Sequence, residues 1–159
     1  MRILRHLLAI GLLPGVATVL VPALIVSGND LASWPLILLG AALIAVGVLL
    51  MAQTIALFAT VGDGTLAPWD PTSRLVVRGP YRRVRNPMIS GVLCILLGET
   101  ALFGSTALLV WSGLFLAVNA VWFPLVEEPG LRRRFGADYE AYRAAVPRWL
   151  PRLRPWTPR

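Results

Sequence analysis

The chain has 159 residues, 57% of them hydrophobic and 14% charged, with a mean hydropathy of +0.70 and a net charge of +7. Soluble domains average about 25% charged residues, so this is the composition of a membrane protein, at the length of a single domain covering 1–159. All fifteen basic residues are arginines lying between apolar runs; that is a topology signal, and no nucleic-acid partner is expected.

Met1-Arg-Ile-Leu-Arg-His6 precedes an apolar run over residues 7–26. A signal peptide has a core of about 7–15 residues and a small-residue cleavage site. This run is longer and lacks a clear site, so it reads as a retained first span, kinked at Pro14 and Pro22. A polar turn, Gly28 to Ser33, leads to Trp34 and Pro35, an interfacial anchor and a good first helical residue. The second span covers about 36–58, and its Gly40 and Gly47 suit close helix approach. Gly62-Asp-Gly-Thr-Leu-Ala67 formally reads G-x-G-x-x-A. It follows an apolar span rather than a strand and runs into Pro68, so it is no dinucleotide fingerprint. Residues 60–73 read as an interfacial loop anchored by Trp69.

Arg78-Gly-Pro-Tyr-Arg-Arg-Val-Arg-Asn-Pro-Met88 is the most charged stretch, and from Met88 to Val126 the chain is again apolar. One helix of that length would run roughly 58 Å, about twice a hydrocarbon core. It must fold back, and Gly104-Ser105 is the natural turn. The third and fourth spans are then 88–103 and 106–126, and the hairpin returns Glu127-Glu128 to the arginines. Pro129 disfavours helical backbone at Glu128, so the helix should end or bend there. Short helices follow on either side of Gly136, then a tail of interleaved arginine and tryptophan that suits the headgroup layer.

Two arginines precede the first span, five lie between the second and third, and eight follow the fourth. With four spans all three groups share one side, which puts both termini in the cytoplasm. The expected fold is therefore an all-α membrane protein: four transmembrane helices, a cytoplasmic-face loop and short C-terminal helices. Cys94 is alone, and lone His6 makes no metal site.

Residues 62–151 resemble the integral-membrane methyltransferases that include isoprenylcysteine carboxyl methyltransferases and phospholipid N-methyltransferases. Gly79-Pro-Tyr-Arg-Arg-Val-Arg-Asn-Pro-Met-Ile-Ser-Gly91 carries the likeness, with Gly98, Glu127-Glu128, Leu131, Phe135-Gly136, Tyr139, Tyr142 and Val146-Pro-Arg148. Gly64-Thr-Leu-Ala-Pro-Trp-Asp70 resembles bacterial members, which implies a bacterial inner membrane. The resemblance implies S-adenosylmethionine as cofactor, bound at the cytoplasmic face without a Rossmann domain, no metal, and methyl transfer to a lipid or lipophilic small molecule. It also implies Tyr81, Arg82, Arg85, Asn86, Gly91, Glu127, Glu128 and Tyr142 as cofactor-binding residues, with Glu128 and Arg85 closest to the chemistry. Two positions depart from the family: Asn86, where histidine is common, and Ile89, where tyrosine is common. Asparagine donates and accepts hydrogen bonds but takes no proton near neutral pH. Asn86 suits an N-cap and Pro87 a first helical residue. Adjacent Glu127 and Glu128 point about 100° apart on a helix, so one can face a cofactor while the other pairs with an arginine. Asn119 reads as interhelical glue. A membrane reductase using NADPH and a non-catalytic scaffold are the alternative readings.

Overall fold

The computed structural model describes residues 11–26, 31–62 and 72–157, and every regular element among them is helical, with no strand. Met1 to His6, the first residues of the first span, the turn at 28–30, most of the G-x-G-x-x-A segment, the Trp69 anchor and the Gly64–Asp70 likeness lie outside the described residues.

A wide, π-wound stretch, Gly11–Leu20, runs into α1, Val21–Ile25. Pro14 sits within it and cannot donate a backbone hydrogen bond, a common reason for irregular winding. Thr18 Oγ1 donates to the Pro14 carbonyl at 2.8 Å. Helix α2, Trp34–Leu57, carries Pro35 in its first turn and continues through a π-turn, Phe58–Gly62. A 3₁₀ turn, Gly79–Arg82, precedes α3, Pro87–Phe103. The expected reversal follows: Gly104 takes φ +58°, a left-handed conformation that suits glycine, and the Ser105 hydroxyl accepts the Leu108 N–H. Helix α4 spans Thr106–Trp122.

Among the described residues two helical runs are long and apolar enough to cross a membrane, Trp34–Gly62 and Thr106–Ala145. They coincide with the second and fourth expected spans. The other two are apolar helices but shorter, Pro14–Ile25 and Pro87–Phe103. At 17 residues α3 is about 26 Å long, a little under a hydrocarbon core of about 30 Å.

Helices α2 and α3 meet along a seam defined by missing side chains. A Cβ on Gly40 would lie 2.6 Å from the Gly98 carbonyl oxygen, and one on Gly47 would lie 2.5 Å from that of Gly91. The glycines are seven residues apart on both helices, so each pair recurs on the same face two turns along. The backbones approach closely at both levels, as small residues permit in membranes.

Of the end or bend expected at Pro129, the end is corrected. The helix continues, but through a π-turn, Phe123–Glu127, in which the Glu128 N–H reaches the Phe123 carbonyl five residues back. The wider winding accommodates Pro124 and Pro129, which lack donors of their own. The break falls instead inside α5, Glu128–Ala145, where Gly136 takes φ +51°, ψ −126° and makes the two short helices expected there.

The tail does not lie free. The Arg85 N–H donates to the Pro147 carbonyl, Arg152 N–H to that of Arg83 and Trp156 N–H to that of Arg82, at 2.8–2.9 Å. Trp156 lies against Tyr142, with ring centroids 5.9 Å apart. The tail thus straps the arginine loop to α5, around a small core of Tyr139, Tyr142 and Val146.

Candidate functional site

Where the arginine loop, the start of α3, the end of α4 and α5 converge there is a cavity of about 550 Å³. That lies within the usual range of small-molecule sites, about 300–1,000 Å³. Arg85, Asn86, Asn119, Glu127 and Arg134 contribute its charged and amide groups, and Phe58, Tyr81, Tyr139 and Tyr142 are among its aromatic rings.

Arg85 is held from both sides. Its backbone is pinned to Pro147, and its guanidinium donates to Glu128 Oε1 at 3.0 Å and to the Tyr139 hydroxyl at 3.3 Å. Its Nε is buried with no hydrogen-bond partner among the described residues. Asn86 is the N-cap of α3, but its side chain makes no capping bond, which corrects the capping expectation. Only its carbonyl serves the first turn, accepting from the Ser90 N–H and hydroxyl at 3.1 Å. The amide Nδ2 is buried and has no partner among the described residues, on a residue only 9% exposed. Buried N–H groups are nearly always paired, so two orphans on consecutive residues of one cavity wall are an unusual arrangement.

The two glutamates separate, as the 100° offset predicts. Glu128 lies outside the cavity wall and is buried in a ring of arginines. Oε1 accepts from Arg85 at 3.0 Å and from Arg148 at 2.6 and 2.8 Å, and Oε2 is 3.4 Å from Arg143. Three segments of chain thus meet on one carboxylate, which does not line the cavity. Glu127 faces the cavity instead. Burial pushes its carboxyl above the usual range, while the Arg134 guanidinium pulls it back.

Tyr81 is buried and stacks on Phe58 with centroids 5.6 Å apart, and its carbonyl accepts the Tyr142 hydroxyl at 2.7 Å. Burial raises both phenols well above their ordinary range, so both are neutral donors.

Besides Glu128, two more residues expected at the cofactor are used elsewhere. Arg82 Nε donates to the Trp156 carbonyl at 2.6 Å and its Nη2 to the Thr157 hydroxyl, which fixes the tail. Gly91 faces α2 in the glycine seam. Neither lines the cavity. Ile89 does, buried in the wall. Arg134 was not expected there. It lines the cavity, donates to the Thr72 carbonyl at 3.0 Å and lies over the Phe135 ring. The signal was available, because Arg134 is seven residues after Glu127 and shares its helix face.

The fold and site define a helical membrane protein with a polar-rimmed, aromatic cavity at the end of its apolar helices. A sequence model of the family described as phospholipid methyltransferase matches residues 35–138, well over half the chain. The chain belongs to that family. Membership implies a methyltransferase for a lipid-like substrate, and the apolar helices fit an integral membrane protein. Comparison with curated proteins and with solved structures gave no significant match.

Proposed function

We propose that the protein transfers a methyl group from S-adenosylmethionine to a lipid or lipophilic small molecule at the cytoplasmic membrane face. In this reading it is a four-span protein with both termini cytoplasmic, supported by the placing of all fifteen arginines. The observation that carries the proposal is the adjacent pair of buried, unpartnered donors, Arg85 Nε and Asn86 Nδ2. An unpaired buried donor costs about 1–3 kcal/mol, and a carboxylate ligand would satisfy both groups with charge-assisted bonds.

The cofactor fits this donor set. Arg85 and Asn86 take its carboxylate, and Glu127 accepts from its ammonium or ribose hydroxyls. Tyr81, Tyr142 and Phe58 offer ring faces to the adenine and, by cation–π attraction, to the sulfonium. When bound, the cofactor supplies a methyl group activated by a positively charged sulfur. Glu128 is a positioning residue: its bonds to Arg85, Arg143 and Arg148 fix the guanidinium and seat the tail against it. Arg82 and Gly91 serve the same end at one remove, through the tail and the helix seam. The chain's contribution to the displacement is orientation, which is worth several kcal/mol when reacting atoms are held at about 3–3.5 Å.

Titration calorimetry of the detergent-solubilised protein with S-adenosylmethionine tests this reading. Binding is expected, and it should be lost in Asn86→Asp, which puts an acceptor and a charge where a donor stood. No heat from the wild type, with or without added lipid, would overturn it, as would preferential binding of NADPH.

A further inference from the structure

The cavity continues below the level of its charged rim. Its α4 wall extends back from Glu127 to Phe115, and Asn119 is eight residues before Glu127. At 1.5 Å per residue that is about 12 Å deeper along the helix. Leu12, Pro14, Val92, Phe115 and Trp122 wall this lower arm, and Asn119 is the polar side chain among them.

An amide in such a place costs free energy unless its groups are paired. Asn119 is half paired. Its Nδ2 donates to the Phe115 carbonyl, one turn back, at 2.8 Å. A backbone carbonyl can only accept, so the nitrogen must be the atom facing it. That leaves Oδ1, and no described residue donates to it. The helix therefore fixes the amide so that an acceptor is what remains for the arm. The groups matching the cofactor all lie at the rim, so a lipophilic acceptor meets the methyl from below, at the depth of Asn119.

We infer that Asn119 is a specificity-determining residue: its Oδ1 accepts a hydrogen bond from an N–H or O–H group on the lipophilic acceptor. This rests on the methyltransferase reading and adds the acceptor's chemistry to it. A head group with a donor, an amine or an alcohol, is selected over one with none. A site built to bond a donor rejects the analogue lacking it, because the acceptor would be left unpaired.

The test uses four probes with the same twelve-carbon chain in dodecylmaltoside micelles: dodecylamine and its donor-free partner dodecyltrimethylammonium, and dodecan-1-ol and its partner dodecyl methyl ether. Calorimetry compares the wild type with Asn119→Leu and Asn119→Thr, each also titrated with S-adenosylmethionine. Threonine is expected to bond its own helix, as Thr54 and Thr100 do with the carbonyls four residues back, at 2.7 and 2.8 Å. It preserves the helix bond but withdraws the reaching acceptor. The wild type should prefer one donor probe over its partner by about tenfold, roughly 1.4 kcal/mol, and both variants should lose the preference while still binding cofactor. The amine pair or the alcohol pair showing the effect identifies the head group. No preference in the wild type, or the same preference in the variants, overturns the assignment. Absence of cofactor binding throughout would instead sink the methyltransferase reading, so the two failures are distinct.

Discussion

The α2–α3 seam and the arginine-rich cap are held together by opposite means. In the seam, contact depends on atoms that are absent: Gly40 against Gly98 and Gly47 against Gly91 bring backbones together, with no charge involved. In the cap, contact depends on one buried carboxylate, Glu128, which collects guanidinium groups from the loop, α5 and the tail. Each device suits its surroundings. Lipid offers no hydrophobic drive between helices, so shape does the work. At the cap, sequence-distant segments are tied by charge, and a buried pair that loses one member is costly.

Filling the seam should do the greatest damage. Gly47→Leu puts a side chain into the Gly91 backbone, which cannot rotate away, and no monodisperse protein is expected on size-exclusion chromatography in detergent. Gly113→Leu is the control. A Cβ there meets nothing within 4 Å, so this variant should elute like the wild type. Equal behaviour of the two would remove the seam from the account.

Breaking the cap should be the next largest effect. Glu128→Gln leaves Arg85, Arg143 and Arg148 around a neutral amide. A loss of about 3–5 kcal/mol is expected, read as a lower melting temperature, with weakened cofactor binding as a consequence. The neighbouring change should behave differently. Among the described residues Glu127→Gln removes no ion pair within 4 Å, and it should cost cofactor affinity about tenfold, near the worth of one charge-assisted bond. Burial raises the Glu127 carboxyl, so between the ordinary value of 4.5 and the raised one the folded state holds more protons than the unfolded state. In that window Glu127 makes the wild type lose stability as pH rises, and the glutamine variant should lose less. At pH 7 Glu127→Gln should therefore melt slightly higher than the wild type; a lower melting point would refute this division between the glutamates.

The smallest effect is expected from Tyr142→Phe, which removes the donor to the Tyr81 carbonyl. About 1 kcal/mol of stability should be lost with the fold unchanged, measured by thermal melting. A much larger loss would mean that the tyrosine cluster, rather than Glu128, holds the tail.

Much of this was legible in the chain. The Gly104-Ser105 reversal followed from an apolar run too long for one crossing, and the break at Gly136 from its place between two helical patterns. The convergence of Arg85 with Glu128 followed from the hairpin between them. Other features were not. The π-turn at Phe123–Glu127 takes up prolines that local rules treat as a stop, because rewinding costs less there than ending a helix whose remainder packs. Arg82 and Gly91 were placed at the cofactor by resemblance, yet the tail and α2 occupy them. Arg134 is one of three consecutive arginines, and it is the one that lines the cavity because it shares a helix face with Glu127.

Composition, period and charge distribution determined on their own that this chain is helical, membrane-type and organised around arginines facing two glutamates. Those properties depend on residues close in sequence, or on sums over the chain. Only the tertiary structure decided which glutamate is structural and which faces the cavity, that the Asn86 amide is left unpaired, and that Asn119 presents an oxygen to an apolar arm. Each of these depends on what stands opposite, such as a guanidinium 43 residues away. Periodicity tells which way a side chain points, but not what it meets.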